Sequence, residues 1–381
     1  DKEEGCTSTI DNDRLSVAPM MAWTNRHFRY FMRLMTKHTK LYTEMIKDDV
    51  ILYQRKNLRR FLGFNPTEHP VVVQLGGSEP ERLAEAAKIC EEWGYDEINL
   101  NCGCPSKKVT KRSFGARLML QPELVREITY AMRRRVQVPV TVKCRLGADD
   151  VDSYPELCNF IKTVASTGID HFLIHARKCL LSGLSTVQNR TIPPLKYDWV
   201  YALKKDFPEL NFSLNGHVQT LADVNSHLNY EIKSGVERTS VLVSDEKATM
   251  RPLLQQRRGL LKGVMIGRAA FNTPWMFADA DRKVFGSSSN PLSSKRQLVS
   301  EYLSYCKEVI EEDSNESKKA VANLLIKPLT HLFNGNPGSR AYKAAMNAAI
   351  NVKNNFDVPA VVRSAMSTLP KEALDEPVRE T

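Results

Sequence analysis

Short apolar runs recur along most of the chain, each followed by a stretch whose nonpolar positions repeat every three to four residues. The runs Leu15–Pro19, Leu41–Thr43, Val71–Leu75, Glu97–Leu100, Val140–Cys144, His171–Ala176, Phe212–Asn215 and Gly263–Gly267 predict eight strands. Glu79–Trp93 and Pro122–Arg135 carry the spacing of amphipathic helices. Several strands are apolar on both faces, as parallel strands covered by helices must be. Eight alternating units predict a TIM (β/α)8 barrel over residues 15–286 rather than an open sheet.

The pattern changes after the turn formers Gly286-Ser287-Ser288-Ser289-Asn290-Pro291. Gln297–Ile310, Lys318–Phe333 and Ser339–Asn351 are helical and strand-poor, so residues 292–368 read as a small all-helical C-terminal domain. Residues 1–14 and 369–381 read as tails. A polar block at about 229–260, with Arg238, Lys247, Arg251, Arg257 and Arg258, reads as an insertion on the barrel rim, a surface loop or an added RNA or protein contact.

Composition narrows the partner. Lys and Arg number 54 against 44 Asp and Glu, a net +10 that favours a polyanion. No apolar run is long enough to suggest a membrane helix. The eight cysteines are scattered, as in a reducing compartment. Cys102 and Cys104 stand one residue apart, which fits neither a redox CxxC pair nor a zinc knuckle, and no metal site is expected. The chain opens on Asp1 rather than Met, as a processed product would; cytoplasm and an organelle matrix both fit.

In such barrels chemistry gathers at the C-terminal ends of the strands. Ala18-Pro19-Met20-Met21 after the first strand is small and apolar, suited to lie against a flat ring. Gln74 ends the third, with an amide that can donate and accept at a flavin or pyrimidine edge. The fourth leads to Asn101 and Cys104; the fifth carries Lys143 between apolar neighbours, beside Arg145; the sixth ends in His175-Ala176-Arg177. The seventh and eighth end in Asn215-Gly216 and Gly267-Arg268, where backbone N–H groups can approach a phosphate unobstructed. A buried Lys needs an anionic partner, and a reduced flavin is one. Together these residues describe an FMN-type site.

The motifs Met20–His27, Val73–Gly77, Asn99–Ser106 (NLNCGCPS), Val142–Gly147 and His175–Lys178 resemble those of the tRNA-dihydrouridine synthases. Phe114–Met119, Gly183-Leu184-Ser185 and Asn189–Tyr197 are similar to the bacterial A-type branch, which acts on the tRNA D-loop. The resemblance runs from about Leu15 to Phe285 and resumes at Lys327–Met346. It implies FMN contacts from Pro19, Met20, Met21, Gln74, Lys143, His175, Asn215, Gly216, His217, Gly267 and Arg268, with NADPH as reductant. It implies that Cys104 gives a proton to uracil C5 after hydride reaches C6. It implies tRNA contacts at Asn101, Arg177, Arg190, Arg340 and Lys343, and makes the helical region an RNA-binding domain. A monomer is expected, unless held in a larger assembly.

Several features depart from the family pattern. His217 stands where a second glycine is usual, and the rim insertion falls beside the same phosphate site. Val187 stands where the A-type branch tends to be basic, and Arg117 replaces a commonly small or thiol residue. They motivate an alternative from another class: a synthase-derived RNA-binding protein with a structural role in a ribosomal RNA or ribonucleoprotein particle.

Overall fold

The computed structural model describes residues 10–106, 113–230, 260–312, 318–350 and 357–378. Most of the rim insertion, residues 231–259, lies outside them. Eight parallel strands close into one barrel in sequence order: β1 (Leu15–Val17), β2 (Lys40–Lys47), β3 (Val71–Gly76), β4 (Glu97–Cys102), β5 (Val140–Arg145), β6 (His171–His175), β7 (Asn211–Asn215) and β8 (Gly263–Ile266). Leu15, Ser16 and Val17 pair with Val264, Met265 and Ile266 to complete the ring. β2 runs further at both ends than its apolar run, with a register shift between Tyr42 and Met45. The helices Pro80–Glu92 and Pro122–Arg135 start on prolines, which fit a first turn where no N–H is needed. Ser153 with Glu156, and Thr220 with Asp223, form capping boxes on two further helices.

Strand alternation separates two apolar groups. One residue set faces the surrounding helices and forms the main core. The other set faces inward: Ala18, Tyr42, Val72, Leu173 and Met265 pack together as a plug inside the barrel. Below that plug the residues are charged but matched. Lys40 pairs with Asp13 and with Glu97 at 2.7 Å, Lys262 with Asp11 at 2.9 Å, and His171 Nε2 meets Ser213 Oγ at 2.8 Å. The segment expected to be an N-terminal tail therefore ends as a closure of the barrel floor: Asn12–Arg14 is a helical turn that delivers Asp13.

The C-terminal region is helical, as expected, with two additions. Lys295–Glu312, Lys318–Ile326 and Ser339–Ile350 are joined by Val358–Met366 and a short turn, Lys371–Leu374. The single helix expected over Lys318–Phe333 changes to a tighter 3-10 turn at Lys327–His331, because Pro328 cannot continue the α ladder. Residues 371–378 are not a free tail. Ala373 and Leu374 are buried and Glu376 pairs with Lys295. The domain docks on the helix Arg26–Met35, where Tyr305 stacks on Tyr30 with ring centroids 3.8 Å apart and its hydroxyl meets His27 Nδ1 at 2.8 Å. No helix of the described residues is long and apolar enough to cross a membrane.

Candidate active site at the barrel mouth

Cys104 follows β4 at the mouth, two residues past the strand end and half buried. Its loop is gripped on several sides. Asn101 Oδ1 accepts the N–H groups of Gly103 at 3.1 Å and Cys104 at 3.0 Å. Arg145 Nε donates to the Gly103 carbonyl at 2.8 Å, and Ala116 N–H donates to the Cys104 carbonyl at 3.0 Å. Burial pushes the Cys104 thiol above its ordinary range, against the pull of the Ser106 N–H and of Arg145, Arg190 and Lys143. The thiol is protonated at neutral pH, the state an acid needs. Cys102, by contrast, is fully buried in the core beside Cys144.

Lys143 lies on the inward face of β5 and donates to Asn215 Oδ1 at 3.1 Å; Asn215 Nδ2 is fixed in turn on the Met265 carbonyl at 2.8 Å. Burial, then the nearby Arg145, lowers Lys143 to about 8. His175 is held well below its usual value by burial and by Arg145 and Lys143, so it is neutral. Its Nδ1 is buried without a partner, as are Nε of Arg177 and of Arg190. Arg190 is lowered by burial and by Arg268, and feels Cys104; Arg177 is lowered by burial and also feels Arg268. These groups form a cationic rim between the thiol and the ends of β7 and β8.

At those ends Gly216 has φ 126°, a conformation in which a side chain would be strained. A Cβ on Gly267 would meet nothing within 4 Å, so the space beside its backbone is open. Tyr197 donates its hydroxyl to the Gly216 carbonyl, fixing the turn from outside. His217 follows at φ 55° with its side chain exposed, whereas a Cβ on Gly216 itself would crowd Leu195 and His175. Orphaned polar atoms, the open backbone at Gly267 and unneutralised cations fit an anionic, flat cofactor such as FMN.

The remaining candidates divide. Gln74 is buried and uses Oε1 for Asn101 and Nε2 for Asn99, leaving one N–H and one lone pair for a ligand. Asn101, expected to touch RNA, has its amide committed to Gln74 and the Cys104 loop. Pro19 and Met20 are partly buried, whereas Met21 is 61% exposed. Arg177 is buried with its guanidinium on the Thr191 and Pro193 carbonyls. Arg340 is exposed and Lys343 half buried, both on the helix Ser339–Ile350. That domain also reaches the mouth: Lys327 Nζ donates to the Ala22 carbonyl at 2.5 Å and sits over the Trp23 ring. The loop-gripping role of Arg145 and the part played by Asn99 were missed. Their signal was parity, since Glu97, Asn99 and Asn101, like Thr141, Lys143 and Arg145, are polar at every second position.

A family model described as dihydrouridine synthase (Dus) matches residues 16–240 and 248–366. A tRNA-dihydrouridine(20/20a) synthase of Synechocystis sp. is 41% identical, covering 87% of this chain and 88% of the relative. Proteins of the same name from Vibrio vulnificus and Escherichia coli K12 are each 41% identical. They cover 94% and 87% of this chain, and 98% and 84% of their own lengths.

Proposed function

Because the chain belongs to the dihydrouridine synthase family, we propose that it reduces uridine to 5,6-dihydrouridine in tRNA with Cys104 as the proton donor. The observation that carries the reading is a half-buried thiol, on a loop held by Asn101 and Arg145, near orphaned donors and cations. Lys143, His175 and Gln74 would hold the ring of FMN, and the Gly216 and Gly267 backbones with Arg268 its phosphate. Bound FMN, replenished by NADPH, would supply hydride to uracil C6.

Negative charge then resides on the C4 carbonyl and C5, and Cys104 protonates C5; together they saturate the C5–C6 bond. The partly buried thiolate left behind is stabilised by Arg145, Arg190 and Lys143 until water reprotonates it. The uridine must leave its stack, at a cost of about a few kcal/mol that is smallest in a strained loop such as the D-loop. Arg190, Arg340 and Lys343 would hold the RNA backbone meanwhile.

The test is turnover of an unmodified tRNA transcript by the purified protein. A yellow protein bleached by NADPH, and tRNA gaining dihydrouridine by mass spectrometry, support the reading. A colourless protein that binds tRNA or a ribosomal RNA fragment without changing it would replace catalysis with a binding role.

A further inference from the structure

We propose that Glu97, on the closed floor of the barrel, is a positioning residue that sets the direction of the amides holding the Cys104 loop. The inference rests on the reading of Cys104 as proton donor. A carboxylate only accepts hydrogen bonds. Glu97 Oε1 accepts from Thr141 Oγ1 at 2.6 Å and Tyr42 OH at 3.1 Å, and Oε2 from Lys40 at 2.7 Å. The Thr141 hydroxyl has one proton and spends it there, so its oxygen must accept Asn99 Nδ2, at 2.8 Å.

Each next amide then has one allowed direction. Asn99 Oδ1 faces Gln74 Nε2 at 2.8 Å, and Gln74 Oε1 faces Asn101 Nδ2 at 2.7 Å. Asn101 Oδ1 is left to take the Gly103 and Cys104 N–H groups. Turning any one amide over would set like groups face to face. Thr141, Asn99, Gln74 and Asn101 are all 8% exposed or less, so water is poorly placed to repair the mismatch. The floor carboxylate thereby fixes both the Cys104 loop and the order in which Gln74 shows its spare donor and acceptor.

Thr141→Val cuts the column while nearly keeping its shape, and Thr141→Ser restores the hydroxyl. Two readouts separate the column from the chemistry. The first is the rate at which iodoacetamide alkylates Cys104, followed by peptide mass spectrometry without tRNA or reductant. The second is kcat and KM on tRNA. The valine variant should alkylate several-fold faster and lose about tenfold in kcat. Its KM should stay within about twofold, and the serine variant should match wild type on every measure. A valine variant that alkylates and turns over normally, or a serine variant that fails to recover, overturns the proposal. Should the valine variant not fold, wild-type NMR decides. Nuclear Overhauser contacts from the Asn99 side-chain NH2 to the Thr141 methyl support the direction, and contacts to Gln74 alone overturn it. Alkylation that behaves as expected in a protein making no dihydrouridine would remove the functional reading and leave the column standing.

Discussion

The two ends of the barrel treat charge in opposite ways. On the floor, Lys40 meets Asp13 and Glu97, and Lys262 meets Asp11 at 2.9 Å and Asp13 at 3.6 Å. Burial alone would lower the Lys40 ammonium, but its two carboxylates outweigh that and hold it raised. At the mouth, the charged neighbours that shift Lys143, His175, Arg177 and Arg190 are cations, thiols and a phenol, not carboxylates. The floor is complete in itself. The mouth keeps its cations without carboxylate partners among the described residues, an arrangement suited to receiving an anion.

Changing each end should give a different signature. At the mouth, Cys104→Ala should cut dihydrouridine formation by about 10²- to 10⁴-fold, the usual worth of a general acid, with flavin absorbance and tRNA affinity retained. On the floor, Lys40→Met strands two carboxylates and should destabilise by about 3–5 kcal/mol in urea unfolding, with tRNA affinity of the folded protein unchanged. On the RNA side, Arg340→Ala or Lys343→Ala should cost about 1 kcal/mol of tRNA binding. Each should reduce the slope of log affinity against log salt by about one. The smallest effect belongs to His217→Gly: relief of the positive φ offsets the added chain entropy, leaving a stability change of about 1 kcal/mol or less.

The strands were legible because each carries an apolar face toward the surrounding helices, and their limits depart chiefly at β2. There the strand continues past the expected end at Thr43, through Glu44 and a register shift to Lys47, an extension that polarity had hidden. Strand-end logic found Gln74, Lys143, His175 and Asn215, and the structure gathers them around one opening. What stayed hidden depends on partners distant in sequence. Asn101 looked like a free amide until Gln74 and the Cys104 N–H groups took it up. The run Arg133-Arg134-Arg135 has the charge of an RNA grip, but its place in the fold gives it other partners. It ends its helix on the floor side, just before β5, with Arg135 paired to Glu85 at 2.9 Å and Arg134 over the Tyr130 ring. Pro328 signalled a break that the periodicity of Lys318–Phe333 masked.

The central claim is that Cys104 works as an acid, and the pH dependence of a single turnover tests it most directly. Protein reduced by NADPH is mixed with excess tRNA, and flavin reoxidation is timed from pH 6 upward. Burial raises the thiol above its ordinary ~8.5, so the rate should stay level through neutral pH and fall only beyond that value, as the proton is lost. A rate that climbs with pH would mark a reacting thiolate, and one that falls below neutrality a different acid; either would contradict the account.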